Sequence, residues 1–273
     1  MGKAAQVRER GIYVLPSIFT TAGLFAGFYA LIAAVQGRYE LAAWAIIVAA
    51  VFDILDGRVA RLLQAESAFG AEYDSLCDML SFGIAPAVLV YLWALVPLHK
   101  PGWLAAFLVA ACAALRLARF NVQVGTQDKR YFQGLPTPAV AMFISTAVLF
   151  HENAGLLPLP WLWFVISVTL AWLMVSRVRF FAGKDVDLRK RRPFILLVGF
   201  LGIIVFVMAN PHMNLFVLTM AYCLHGPMLS AWQRYRSSQL REARRRRKHA
   251  AKYPQDAEWA DHEEREPDSA AGE

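Results

Sequence analysis

Eight apolar stretches, each close to the length that crosses a bilayer, limit what this chain can fold into. They run over roughly 15–35, 41–63, 71–97, 103–122, 136–152, 158–178, 193–209 and 214–232, against the ~20 residues a helix needs to cross the hydrocarbon. In lipid every backbone polar group must be satisfied internally, and stretches of this length do so as helices. Hydrophobic residues make up 58% of the 273 and charged residues only 18%, which excludes an ordinary soluble domain. The expected fold is all-α: a polytopic membrane helical bundle of about eight transmembrane helices.

The basic residues orient it. All but two of the 28 Lys and Arg fall in the N-terminal segment, the alternate connections and the C-terminal tail; the opposite connections hold only Arg38 and Lys100. By the positive-inside rule the basic side is cytoplasmic. The expected location is the inner, cytoplasmic membrane, with both termini on the cytoplasmic side. Residues 1–232 are read as the membrane domain and 233–273 as a cytoplasmic tail. That tail opens with the basic run Arg241–Lys248, suited to anionic lipid headgroups. Beyond Pro254 it turns acidic and polar and is expected to be disordered. Residues 1–12 read either as a short surface helix or as a disordered tail, and not as a cleavable signal. Cys77, Cys112 and Cys223 have no paired spacing and read as small buried residues. His151, His212 and His225 are isolated and read as packing or interfacial groups. Trp161, Trp163 and Trp232 sit near span ends, as an aromatic belt expects.

Between the second and third spans lies DILDGRVARLLQAESAFGAEYDSLCD, residues 53–78. Each carboxylate at membrane depth costs about 2.5–3.5 kcal/mol on insertion scales. Four are present, Asp53, Asp56, Asp74 and Asp78, against Arg58 and Arg61. Asp53 and Asp56 are three apart and Asp74 and Asp78 four apart, so each pair occupies one helix face. Two such helices joined as a hairpin bring the pairs together. The missing positive charge is then a hard divalent cation, Mg²⁺ or Mn²⁺. By the same orientation, this hairpin faces the cytoplasm.

Asp53-x2-Asp56-Gly57-x2-Ala60-Arg61-x8-Gly70-x3-Asp74-x3-Asp78 resembles the signature of the CDP-alcohol phosphotransferases. Ser81–Ala87, Leu115–Asn121 and Gly134–Ala139 narrow the likeness to the family's bacterial serine-transferring members. It covers roughly residues 11 to 230. Those members move the phosphatidyl group of CDP-diacylglycerol to L-serine, releasing CMP. The resemblance implies two metal ions held by Asp53, Asp56, Asp74 and Asp78, with Asp78 also the general base. It implies Gly57 and Arg61 at the diphosphate and Ser67 on the nucleotide side. For the serine carboxylate it implies Arg119, the favoured cation, with Arg116 and Asn121 beside it. It also implies a homodimer among membrane lipids and no nucleic-acid partner. The Gly134–Pro138 segment reads as a break into the fifth span and a candidate wall of the acceptor pocket.

One departure stands out. Relatives carry LPN-x-x-T-x-x-N in the first span, where this chain has Leu15-Pro16-Ser17, Thr20 and Gly23. Ser17, Thr20 or Thr21 must then support the site instead. Two other readings compete. One keeps the family and changes the acceptor to glycerol 3-phosphate, inositol phosphate or choline. The other is a cation transporter, which explains the aspartates but not Gly57, Arg61 and Gly70 at their spacing.

Overall fold

Helices account for nearly all of the computed structural model, which describes residues 3–63, 67–123, 131–176, 178–181, 193–228 and 230. Eight helices occur among them: α1 (Lys3–Val35), α2 (Tyr39–Leu63), α3 (Ala68–Leu98), α4 (Lys100–Gln123), α5 (Thr137–Ala154), α6 (Pro160–Val175), α7 (Pro193–Ala209) and α8 (211–228). They follow the eight apolar stretches in order. Among the described residues three stretches are long and apolar enough to cross a membrane on their own: Ser17–Val35, Ala68–Leu98 and Lys100–Val122. The reason is local: α2 carries its charges at the aspartate end, and α6 and α7 are 16 and 17 residues long. The chain divides into two compact units, Met1–Gly226 and Pro227–Glu273. The expected tail, 233–273, lies outside the described residues, as does Trp232.

The α1–α2 pair turns at Gly37, whose φ of +74° a side chain would resist. Its seam is made of small residues, Ala26, Ala30, Ala33 and Ala34 against Ala42, Ala43, Ala49 and Ala50, all buried. Without a hydrophobic drive between helices in lipid, such seams gain from close backbone approach. Gly27 of α1 also lies close against α3, since an added Cβ would overlap Ser81. The N-terminal segment is helical and continuous with the first span, rather than a separate surface helix or a disordered tail.

Helix α3 is not regular. Regular α-helix covers Ala68–Asp78, a wider π turn covers Met79–Ile84, and a second covers Tyr91–Leu95. Pro86 and Pro97 follow these turns. A proline lacks the N–H for an i→i−4 bond and its ring crowds the carbonyl four residues back. A widened turn relieves both effects. The first π turn begins directly after Asp78, so it also sets where the helix carries the aspartate pair.

A short antiparallel ribbon, Tyr131–Gln133 with Arg179–Phe181, is the one departure from an all-helical chain among the described residues. Sequence periodicity gave no sign of it. It leads into Gly134, which has φ +82° and donates its N–H to the Val178 carbonyl at 2.9 Å; Leu135 N–H donates to Leu173 at 3.1 Å. The glycine is required twice over, by its φ and because a Cβ would overlap the Met174 carbonyl oxygen. Gly134→Ala is expected to cost about 2 kcal/mol, lowering Tm in detergent by about 4–8 °C. Thermal unfolding of the purified variant checks this.

At the end of the bundle away from the aspartates, Trp93 donates to Glu152 at 3.1 Å, and His151 sits edge-on to Trp93 and Trp163. His151 is thus a packing residue. Trp163 is 2% exposed and Trp161 65%, so only Trp161 fits the expected belt. Two residues apart on a helix are about 200° apart around it, and the second must face the core. All three cysteines are buried and free.

Candidate active site

The aspartate end of the bundle holds a cleft of about 190 Å³ between α1, α2 and α3, lined by Thr20, Gly23, Asp53, Asp56, Asp74, Cys77, Asp78 and Ser81 among others. Asp53 and Asp56 arrive on the last turns of α2, Asp74 and Asp78 on the regular part of α3. One carboxylate oxygen from each of Asp53, Asp56 and Asp74 lies within 4.8 Å of the others. Asp78, one turn beyond Asp74, lines the same cleft but stands outside that trio. Three ionised carboxylates at this range repel by roughly 3–4 kcal/mol per pair at an effective dielectric of 20. The donor set is all oxygen and all anionic, which fits a hard divalent cation and not a soft one. The enclosed part of the cleft admits about one water-sized group, so a nucleotide must extend out of it.

Hydrogen bonds to neighbouring helices hold the aspartates in place. The Thr20 hydroxyl bonds to Asp56, which is 6% exposed. Of the altered first-span pattern, Thr20 and Gly23 both line the cleft, and Thr20 is the one that bonds an aspartate. Thr21 is paired with the Tyr73 hydroxyl at 3.0 Å, tying α1 to the residue before Asp74. Ser75, the residue after Asp74, exchanges hydrogen bonds with Asn121 of α4 at 3.2 and 3.0 Å. Asp74 is thus braced on both sides. Asn121, expected at the serine, has its side chain engaged in this brace.

The remaining predicted residues fall in distinct places. Arg61 is exposed at the end of α2, and its Nε donates to the Gly57 carbonyl at 2.7 Å, one turn from Asp56. Ser67 caps α3, accepting the Gly70 N–H at 3.0 Å, and its own O–H remains able to donate. The two arginines of α4 differ. Arg116 turns inward: its Nη1 donates to the buried Thr137 hydroxyl at 3.3 Å, and its Nε is buried with no hydrogen-bond partner among the described residues. It lies within electrostatic range of Asp78. Arg119 is half-buried, one turn further on. Sequence reasoning favoured Arg119 because Arg119-Phe120-Asn121 resembles the serine-transferring members; depth in the bundle has no sequence signal.

The cleft therefore holds an acidic trio with a fourth carboxylate beside it, and an inward guanidinium lies within electrostatic range of that fourth carboxylate, which suits transfer chemistry on a phosphate ester. Known proteins agree. The CDP-alcohol phosphatidyltransferase family matches over residues 13–173. The CDP-diacylglycerol–serine O-phosphatidyltransferase of Helicobacter pylori is 34% identical over 219 residues, covering 79% of this chain and 90% of that one. The Mycobacterium leprae protein of the same name is 32% identical over 235 residues, 84% of this chain and 78% of that one. That coverage is too long to stop short of α8. The archaetidylserine synthase of Methanothermobacter thermautotrophicus is 33% identical over 170 residues, 61% of this chain and 69% of that one. With the four aspartates gathered into one cleft and the family match spanning more than half its length, this integral membrane protein belongs to the CDP-alcohol phosphatidyltransferase family.

Proposed function

We propose that this protein transfers the phosphatidyl group of CDP-diacylglycerol to L-serine, giving phosphatidylserine and CMP. The observation that carries the reading is the inward Arg116 within electrostatic range of Asp78, which lines the cleft of the aspartate trio; in this reading the guanidinium takes an acceptor carboxylate and Asp78 takes the proton of its hydroxyl. The serine names of the bacterial and archaeal relatives support the same acceptor.

In this reading the serine hydroxyl oxygen forms a bond to the phosphatidyl phosphorus. The bond from that phosphorus to the bridging oxygen breaks, and CMP leaves with the electron pair. The hydroxyl proton passes to Asp78. Asp53, Asp56 and Asp74 hold the divalent metal, with Asp78 contributing to a second ion. Mg²⁺ or Mn²⁺ bound there neutralises diphosphate charge. Phosphoryl chemistry asks the chain mainly for positioning and charge. Arg61 offers N–H donors to the diphosphate from beside Gly57, whose lack of a side chain lets a ligand approach the backbone. Ser67 offers its O–H on the nucleotide side. Arg116 takes the serine carboxylate, with Arg119 one turn outward. The aspartate end faces the cytoplasm, where both substrates' polar parts are available, because the basic connections lie at that end. A homodimer, with lipid on its remaining apolar surface, completes the assembly.

Purified protein with CDP-diacylglycerol and Mg²⁺ or Mn²⁺ should release CMP in step with incorporation of labelled serine into lipid. Incorporation of glycerol 3-phosphate, inositol phosphate or choline in preference to serine would move the acceptor assignment while keeping the family. No cation-dependent CMP release from any acceptor would overturn the reading.

A further inference from the structure

The part of α3 that brings Asp74 and Asp78 to the cleft is short and bounded at both ends. Regular α-helix runs from Ala68 to Asp78. Ser67 caps it at one end, and the π turn Met79–Ile84 follows at the other. A π turn departs from the regular step of about 100° per residue. The rotation of this segment about its own axis is therefore set by what holds its sides.

Two hydrogen-bonded pairs hold them. At about 100° per residue, Tyr73 and Ser75 point to opposite sides of Asp74. The Tyr73 hydroxyl meets the Thr21 hydroxyl of α1 at 3.0 Å. The Ser75 hydroxyl donates to Asn121 Oδ1 of α4 at 3.2 Å, and Asn121 Nδ2 donates back to the Ser75 oxygen at 3.0 Å. Turning the segment in either direction displaces both pairs. The angle matters to a metal ligand. A carboxylate oxygen ~6 Å from a helix axis moves ~1 Å for a turn of about 10°, whereas metal–ligand distances hold to within about 0.2 Å. Asp74 must meet Asp53 and Asp56, which arrive on a different helix, within 4.8 Å. Helix α1 packs along α2 through the buried alanine seam, so the Thr21 tie refers α3 to those two ligands. The tie on the other side is Asn121, whose two polar side-chain atoms are both engaged with Ser75.

We propose that Asn121 is a positioning residue for the metal centre: bonded from α4 to Ser75, opposite the Thr21–Tyr73 pair, it sets the rotation of α3 that brings Asp74 to Asp53 and Asp56. This departs from the place at the serine that the sequence resemblance implies for Asn121. It rests on the assignment of the three aspartates as metal ligands.

The test reads Mn²⁺ binding to the purified full chain by electron paramagnetic resonance, without substrates, beside the kinetics. Asn121→Ala and Ser75→Ala should each raise the Mn²⁺ dissociation constant by about three- to tenfold, the net contribution of one hydrogen bond. The Mg²⁺ needed for half-maximal rate should rise in step, while the serine KM at saturating Mg²⁺ stays within about twofold. The double variant should be little worse than either single, because both remove the same pair. Ser75→Thr keeps the hydroxyl and should bind Mn²⁺ as wild type does. Thr146→Val removes the 2.8 Å hydroxyl pair with Thr219 elsewhere in the bundle and should leave Mn²⁺ affinity unchanged. Unaltered Mn²⁺ binding in whichever alanine variant folds, a serine KM that rises in its place, or an equal loss in Thr146→Val overturns the proposal. Wild type that binds no Mn²⁺ instead fails the metal assignment on which it rests.

Discussion

Asp56→Asn and Asp74→Asn should each lower kcat/KM by roughly a hundredfold or more, about 3 kcal/mol in barrier, while the protein still inserts and purifies. Both residues belong to the trio whose oxygens converge within 4.8 Å. The exchange keeps shape and one carbonyl oxygen but removes the anionic charge that holds a hard cation. Asp56 is the more enclosed, with its partner Thr20 fixing the carboxylate. Effects within such a group are not additive, because losing one ligand already disables the unit. The Asp56, Asp74 double variant should therefore be little worse than either single. Binding gives a second readout: titration with Mn²⁺, followed by electron paramagnetic resonance, should show weaker affinity in both variants. Near-normal turnover of Asp56→Asn at ordinary Mg²⁺ would remove the metal assignment.

Arg116→Lys is expected to raise the serine KM by roughly 10- to 100-fold, with the CDP-diacylglycerol KM hardly changed. Lysine keeps the charge but loses the two-pronged geometry, and a charge-assisted contact contributes ~1.5–3 kcal/mol. Arg119→Lys, one turn outward and half-buried, should change the serine KM by less than about threefold, the scale of a partly exposed charge. Arg61→Lys should show the reverse pattern, raising the CDP-diacylglycerol KM and sparing serine. Initial rates with each substrate varied in turn, for the three variants side by side, decide it. A larger effect on serine at Arg119 than at Arg116 would return the carboxylate to the outer arginine.

Helix by helix, much of this architecture was legible beforehand. Apolar length set the helices to within a few residues, except that α1 begins at Lys3, well before its apolar stretch, because crossing lipid leaves the backbone few alternatives. The spacing of Asp53 with Asp56 and of Asp74 with Asp78 placed each pair on one face, because the helical repeat requires it. The irregularities of α3 were hidden in plain view: Pro86 and Pro97 signal a disturbed helix, but a π turn, a kink and a break all relieve the same crowding. The ribbon beside Gly134 was not legible, since three-residue strands carry no periodicity and depend on a partner nearly fifty residues away.

The residue types and spacings determined by themselves that the chain is a helical membrane protein with an acidic centre between α2 and α3. Tertiary structure alone decided which polar residues serve that centre. Sequence favoured Arg119 over Arg116, yet Arg116 meets Thr137 and lies within electrostatic range of Asp78, while Arg119 is half-buried one turn on. Asn121 matched a motif, yet it braces Asp74 through Ser75. The physical reason is common to both. A helix repeat specifies the direction of a side chain around its own axis, whereas its partner depends on the depth and neighbours that packing of the other helices imposes.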